Sequence, residues 1–151
     1  MTFAPVDDLD RSEMKFLTSC HRLLHPELPP TTLLAEMIEV LEGRWATALD
    51  VLERGADAIV GETVAETEAL YVSIDLDVLD SSVAAGHSLQ EPGGLSYREL
   101  RAILVEVARR GRVIGFDDVE LNPARDPSGA TARVATWIVT PFLSEIFEQP
   151  R

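Results

Sequence analysis

The stretch Leu70-Tyr71-Val72-Ser73-Ile74 constrains this chain more than any other. It is short, apolar and rich in residues that favour extended backbone, and it runs straight into Asp75-Leu76-Asp77-Val78-Leu79-Asp80. A nearly continuous apolar strand of this length suits a buried place in a parallel sheet. Parallel strands require a crossover, and one follows. Ser96 and Glu99 spell a capping box, Leu100, Ile103, Leu104 and Val107 keep helical spacing, and Gly111 closes the helix. A second strand, Val113 to Phe116, then runs into Asp117, Asp118 and Glu120, and after the turn-rich residues 122–129 a last helix starts near Thr131. Val134, Ile138, Phe142 and Ile146 form its apolar side, and Pro141 is expected to kink or split it. Strand–helix–strand–helix order predicts an α/β fold around a parallel sheet with right-handed crossovers.

Upstream, Asp10 and Glu13 open a short helix carrying Phe16, Leu17, Cys20, Leu23 and Leu24, stopped by Pro26. Leu34, Met37, Ile38 and Leu41 mark a second helix ended by Gly43, and residues 46–69 read mainly as helix, interrupted at Gly55. The length of 151 residues suits one domain or part of a larger one.

Acidic residues outnumber basic ones 26 to 13, a formal net charge of −13. Such a chain repels phosphates and anionic membrane surfaces, so no nucleic acid or membrane partner is expected, whereas cationic ligands suit it. The lone Cys20 can form neither an internal disulfide nor a zinc–thiolate cluster. No apolar run approaches the ~20 residues of a membrane span, and residues 1–10 lack the pattern of a signal peptide, so a cytoplasmic location is expected.

In open α/β sheets, ligands collect where strands end. Asp75 and Asp77 are two apart, which in extended backbone aims both side chains the same way. Two carboxylates held together repel, and a hard divalent cation between them relieves the repulsion. The plainer alternative is that these residues cap the following turn. An EF-hand loop is excluded, because Leu79 and Asp80 stand at its fifth and sixth positions. A phosphatase using the first Asp as nucleophile and the second as acid/base lacks its phosphate-binding lysine, since Lys15 is the only lysine. His21 and His25 have no companion ligands nearby, and His87, alone in a loop after Gly86, is expected to face solvent unless it reaches a metal or substrate.

Three ordered segments then become informative: Tyr71 to Asp80 (YVSIDLDVLD), Glu91 to Leu100 (EPGGLSYREL), and Val113 to Ala132 (VIGFDDVELNPARDPSGATA). Together they closely resemble the ureohydrolases, the arginase, agmatinase and formiminoglutamase family, with the second segment closest to agmatinases. The resemblance covers residues 44–147, the C-terminal half of such a protein, and leaves 1–43 as a helical segment without a match and 148–151 as a tail. It implies a three-layer α/β/α fold with a parallel sheet, here truncated. It implies Mn²⁺-dependent hydrolysis of a guanidino C–N bond in a small cationic substrate, with agmatine the first expectation and urea as product. By the same resemblance Asp75 and Asp77 are metal ligands, Asp77 belongs to the catalytic centre, and Glu120 pairs with the guanidinium. Asp80 fixes the loop, Asp117 shapes the strand end, and His87 stands in the loop near the site without a family counterpart.

The sequence departs from the family where the other ligands should be. No D-x-H-x-D cluster and no metal-binding histidine of the usual setting occur, and His87-Ser88-Leu89-Gln90 replaces a Gly/Thr/Pro-rich piece. Asp118 adds a charge where the family is apolar. Each Mn²⁺ needs several N or O donors. Two readings follow. In one the chain is an Mn²⁺-dependent enzyme. In the other it is a catalytically incompetent remnant, or a structural subunit that needs a partner chain for the missing metal ligands. Association with itself, as a homo-oligomer, or with a partner chain is expected.

Overall fold

The computed structural model describes residues 2–3, 44–64, 69–88, 90 and 92–148. The two expected helices within residues 10–43, with Cys20, His21 and His25, lie outside them. The chain separates into two compact units, residues 2–45 and the rest. In the first, β1 (Thr2–Phe3) pairs antiparallel with β2 (Arg44–Trp45).

The second unit opens with α1 (Ala48–Val64). Thr47 and Asp50 cap it reciprocally: the Asp50 carboxylate accepts the Thr47 N–H at 2.7 Å, and Thr47 Oγ1 accepts the Asp50 N–H at 3.1 Å. Gly55 leaves helical geometry at φ 80°, the interruption that its sequence position suggests. Then come β3 (Leu70–Asp75), a 3₁₀ turn (Leu76–Val78), α2 (Tyr97–Arg110), β4 (Val113–Val119), a second 3₁₀ turn (Pro123–Arg125) and α3 (Ala130–Glu148). The capping box of α2 forms as read, with Ser96 Oγ accepting the Glu99 N–H at 3.3 Å and the Glu99 carboxylate accepting the Ser96 N–H at 2.7 Å.

β3 and β4 pair in parallel, Val72 beside Phe116 and Asp75 beside Val119. α2 packs against both α1 and α3. The core joins Val60 and Val64 of α1, Leu70, Val72 and Ile74 of β3, Leu100, Leu104 and Val107 of α2, and Ile138 and Phe142 of α3. Phe142 meets the ring edge of Phe116 at a centroid distance of 5.5 Å, which fastens α3 to β4.

Four sequence expectations need correction. β3 is buried on one face only, because Leu70, Val72 and Ile74 point into the core while Tyr71, Ser73 and Asp75 are exposed. The described residues thus form one helical layer against a two-stranded sheet, and the second helical layer of a three-layer fold is not among them. β4 is longer than Val113 to Phe116 and includes Asp117, Asp118 and Val119, since parallel pairing with β3 outweighs their weak strand preference. Asp77 is not in extended backbone: Asp75 ends the strand and Asp77 sits in the 3₁₀ turn, so the two side chains do not inherit a strand's alternation. Finally, Pro141 does not split α3, which runs unbroken through it. That proline has no N–H for the Trp137 carbonyl one turn back, and the Tyr97 hydroxyl lies 3.5 Å from this oxygen.

Candidate active site

The carboxyl ends of β3 and β4 bring Asp75, Asp77, Asp118 and Glu120 into one neighbourhood, with His87 beside them. Asp75 caps the 3₁₀ turn, its Oδ1 accepting the Asp77 N–H at 3.2 Å. The capping role and the nearness of the two carboxylates therefore coexist. Asp77 is half-buried and pushed up to about 6, first by burial, then by the charges of Asp75 and Glu120, while His87 acts in the opposite direction. Asp118 is likewise pushed up to about 6, by the partial shelter of its carboxyl first and then by Asp117 and Asp75. Glu120 stands at φ 65°, alone among the described non-glycine residues in the left-handed region. A side chain there costs about 1–3 kcal/mol, and such strain gathers at functional sites.

The surrounding loop is tied down by its own side chains. Asp80 accepts the Ser82 N–H at 2.8 Å and, across the loop, the Gly93 N–H at 2.7 Å. Those bonds hold its carboxyl below the usual range, the Ser82 hydroxyl most of all. Leu79 and Leu95 form a parallel bridge beside it. His87 does not face solvent as a lone loop histidine was expected to. It is fully buried, with Nε2 2.6 Å from the Ala84 carbonyl oxygen and Nδ1 without a hydrogen-bond partner. Residues far along the chain fix the turn before it: Thr131 Oγ1 accepts the Gly86 N–H at 2.9 Å, and the Gly86 carbonyl accepts the Asn122 N–H at 2.7 Å.

Sequence reasoning missed Tyr71 and Ser73. On the open face of the sheet, Ser73 Oγ donates to Asp117 at 2.6 Å and the Tyr71 hydroxyl donates to it at 3.1 Å. The Tyr71 ring lies against Gly115, where a Cβ would come within 3.0 Å of two ring carbons. The signal was there, since Tyr71, Ser73 and Asp75 alternate along β3.

Asp75 and Asp77 supply the oxygen donors that Mn²⁺ takes. Among the described residues, however, no three His, Cys, Asp or Glu side chains gather into a group that could hold a metal ion. By themselves these crowded, uncompensated carboxylates do not fit a bound pair of ions.

The electrostatics make a stability prediction. Asp77 and Asp118 titrate near 3.8 in an unfolded chain and near 6 in the folded one. The folded state therefore holds more protons between those values, and these two groups lower stability as pH rises from about 4 to about 6. In chelator-containing buffer, Asp77→Asn is expected to melt above the wild type at pH 7.5, with the gap closing near pH 4. Thermal melts at both pH values test this, and an equal gap at both would exclude the titration as its cause.

The sequence model of the arginase family matches residues 31–144. The chain belongs to the arginase family. The match begins upstream of residue 44, where the resemblance was first legible, and it removes the phosphatase alternative. The mitochondrial arginase of Medicago truncatula is 48% identical over 80 residues, which is 52% of this chain and 23% of that one. The agmatinase of Halalkalibacterium halodurans is 44% identical over 75 residues, 49% of this chain and 26% of that one. Among solved structures, Trypanosoma cruzi formiminoglutamase with Mn²⁺ superposes with a TM-score of 0.61 at 27% identity, covering 67% of this chain and 35% of that one. The matched part of the chain thus spans about a quarter of those curated relatives and about a third of that solved structure. The architecture is that of the arginase-like α/β fold, cut short. No described helix is long and apolar enough to cross a membrane.

Proposed function

We propose that this chain is the carboxylate-bearing C-terminal part of a cytoplasmic ureohydrolase-type enzyme acting on a guanidino substrate, agmatine before arginine. The reading rests on one observation above all: Glu120 is held in a strained left-handed conformation beside Asp77. A carboxylate there can take two N–H bonds of a guanidinium in a fork. Water adds to the guanidino carbon, the C–N bond to the alkyl amine breaks, the amine leaves with a proton, and urea is released. Mn²⁺ would be the metal of this reading: Asp75 and Asp77 would supply two of its oxygen donors, a second copy or a partner chain would supply the rest, and the bound metal would activate the water.

The test is urea release from agmatine and arginine in Mn²⁺ buffer, by the purified chain and by the assembly it forms in its native cell. Activity is expected in the assembly and absent from the isolated chain. An assembly that retains no Mn²⁺ and releases no urea from either substrate would establish the second reading, a non-catalytic subunit. The incomplete donor set among the described residues is the observation that favours that second reading.

A further inference from the structure

We propose that His87 is an additional ligand-contacting residue of this site, its Nδ1 accepting an N–H from the cationic guanidino or amidino group of the ligand. The inference rests on the guanidino reading above and adds a residue to it. At 2.6 Å from the Ala84 carbonyl oxygen, Nε2 must carry the ring proton, because two lone pairs that close would repel. In the neutral ring this leaves the Nδ1 lone pair as an acceptor, and that atom is buried with no partner. Buried polar atoms are normally satisfied, so an orphaned one marks a place where something else binds.

The turn that carries the ring is tied to the acidic strand end. The Gly86 carbonyl accepts the Asn122 N–H at 2.7 Å, which locks the turn before His87 to the segment that follows Glu120. His87 and Asp77 also interact electrostatically, as Asp77 does with Asp75 and Glu120. Ionised carboxylates and an imidazole lone pair only accept hydrogen bonds, whereas guanidinium and amidinium groups only donate them. An acceptor set selects that class of ligand. Solvent does not reach Nδ1, so the Ala84–Ser88 turn must move aside for the ligand. Two exposed hydrogen bonds hold that turn from outside, from the Gln90 side-chain amide to the Ala85 carbonyl and from Arg125 to the Ser88 carbonyl.

Two-bond ¹H–¹⁵N spectra of the histidine rings of the full chain test the proposal, with agmatine and acetamidinium as probes. The expected result is a His87 ring protonated at Nε2 whose Nδ1 signal moves saturably as either probe is added. His87→Gln keeps an amide N–H that can donate to the Ala84 carbonyl, but its acceptor oxygen no longer stands at the Nδ1 position. It should retain the wild-type melting temperature and bind agmatine roughly 10-fold to 100-fold more weakly. A ring protonated at Nδ1 overturns the proposal. So does an Nδ1 signal that stays still while agmatine binds and shifts the Glu120 amide, a result that leaves the guanidino reading standing. An Nδ1 signal that answers Mn²⁺ but neither probe makes His87 a metal ligand instead. Binding of neither probe overturns this proposal whatever the native assembly does, because every residue it names belongs to this chain.

Discussion

Gly94→Ala is expected to cost the chain about 2–3 kcal/mol of stability and to disorganise the turn that carries Asp77 and Asp80. A Cβ at residue 94 would lie 2.5 Å from the Asp80 nitrogen, 2.6 Å from the Leu79 carbonyl carbon and 2.7 Å from the Val78 oxygen. All three are backbone atoms, so no side-chain rotation relieves the collision and the loop after β3 must part from the residues that enter α2. That junction is held by Asp80 N–H to the Leu95 carbonyl at 2.9 Å, Leu95 N–H to the Val78 carbonyl at 2.8 Å and Gly93 N–H to the Asp80 carboxylate at 2.7 Å. One added methyl strains all three bonds together. Urea denaturation measures the loss, and the amide shifts of residues 77–82 report the local damage. Wild-type stability in Gly94→Ala would mean that the packing of Gly94 on this turn is not a constraint in solution.

Glu120 separates function from stability in the opposite sense. Its left-handed backbone disfavours any side chain, by about 1–2 kcal/mol, and glycine removes that penalty. Glycine also raises the entropy of the unfolded chain, by roughly 0.5–1 kcal/mol, so Glu120→Gly should be as stable as the wild type or up to about 1.5 kcal/mol more stable. The same change removes the carboxylate proposed to grip the guanidinium. In the active assembly, Glu120→Gly and Glu120→Gln should each reduce kcat/KM for agmatine by at least about 30-fold, the cost of deleting one partner of a charge pair that bound substrate would bury. Thermal melts and steady-state kinetics on the pair decide it. A Glu120→Gly chain that melts much lower than the wild type would assign Glu120 to structure, and wild-type kinetics in Glu120→Gln would remove it from substrate binding.

Most of the described elements were legible because their signals are local. The Ser96–Glu99 capping box, the helical spacing of Leu100 to Val107, the apolar run of β3 and the break at Gly55 all depend on residues within a turn or two. The acids at the strand ends were legible for the same reason, as was the bond-forming loop around Asp80. The length of β4 was not, since Asp117 and Asp118 disfavour strand by themselves and are held there by Ser73 and Ile74 across the ladder. The course of α3 through Pro141 was not either, because the polar neighbour of the freed carbonyl comes from Tyr97, forty residues away.

By itself, the sequence determined the order of helices and strands, the family, and which acids stand where β3 and β4 finish. Tertiary structure alone decided how those acids are used. It placed Asp75 as a cap and Asp77 in a turn, drew Glu120 into strain, and buried His87 with one nitrogen unsatisfied. The reason is physical: backbone preference and hydrophobic period act over a few residues, whereas burial and the field at a carboxyl depend on whatever long-range packing brings near. The turn that carries His87 is fixed by Asn122 and Thr131 through Gly86, and no pattern around residue 87 encodes those bonds.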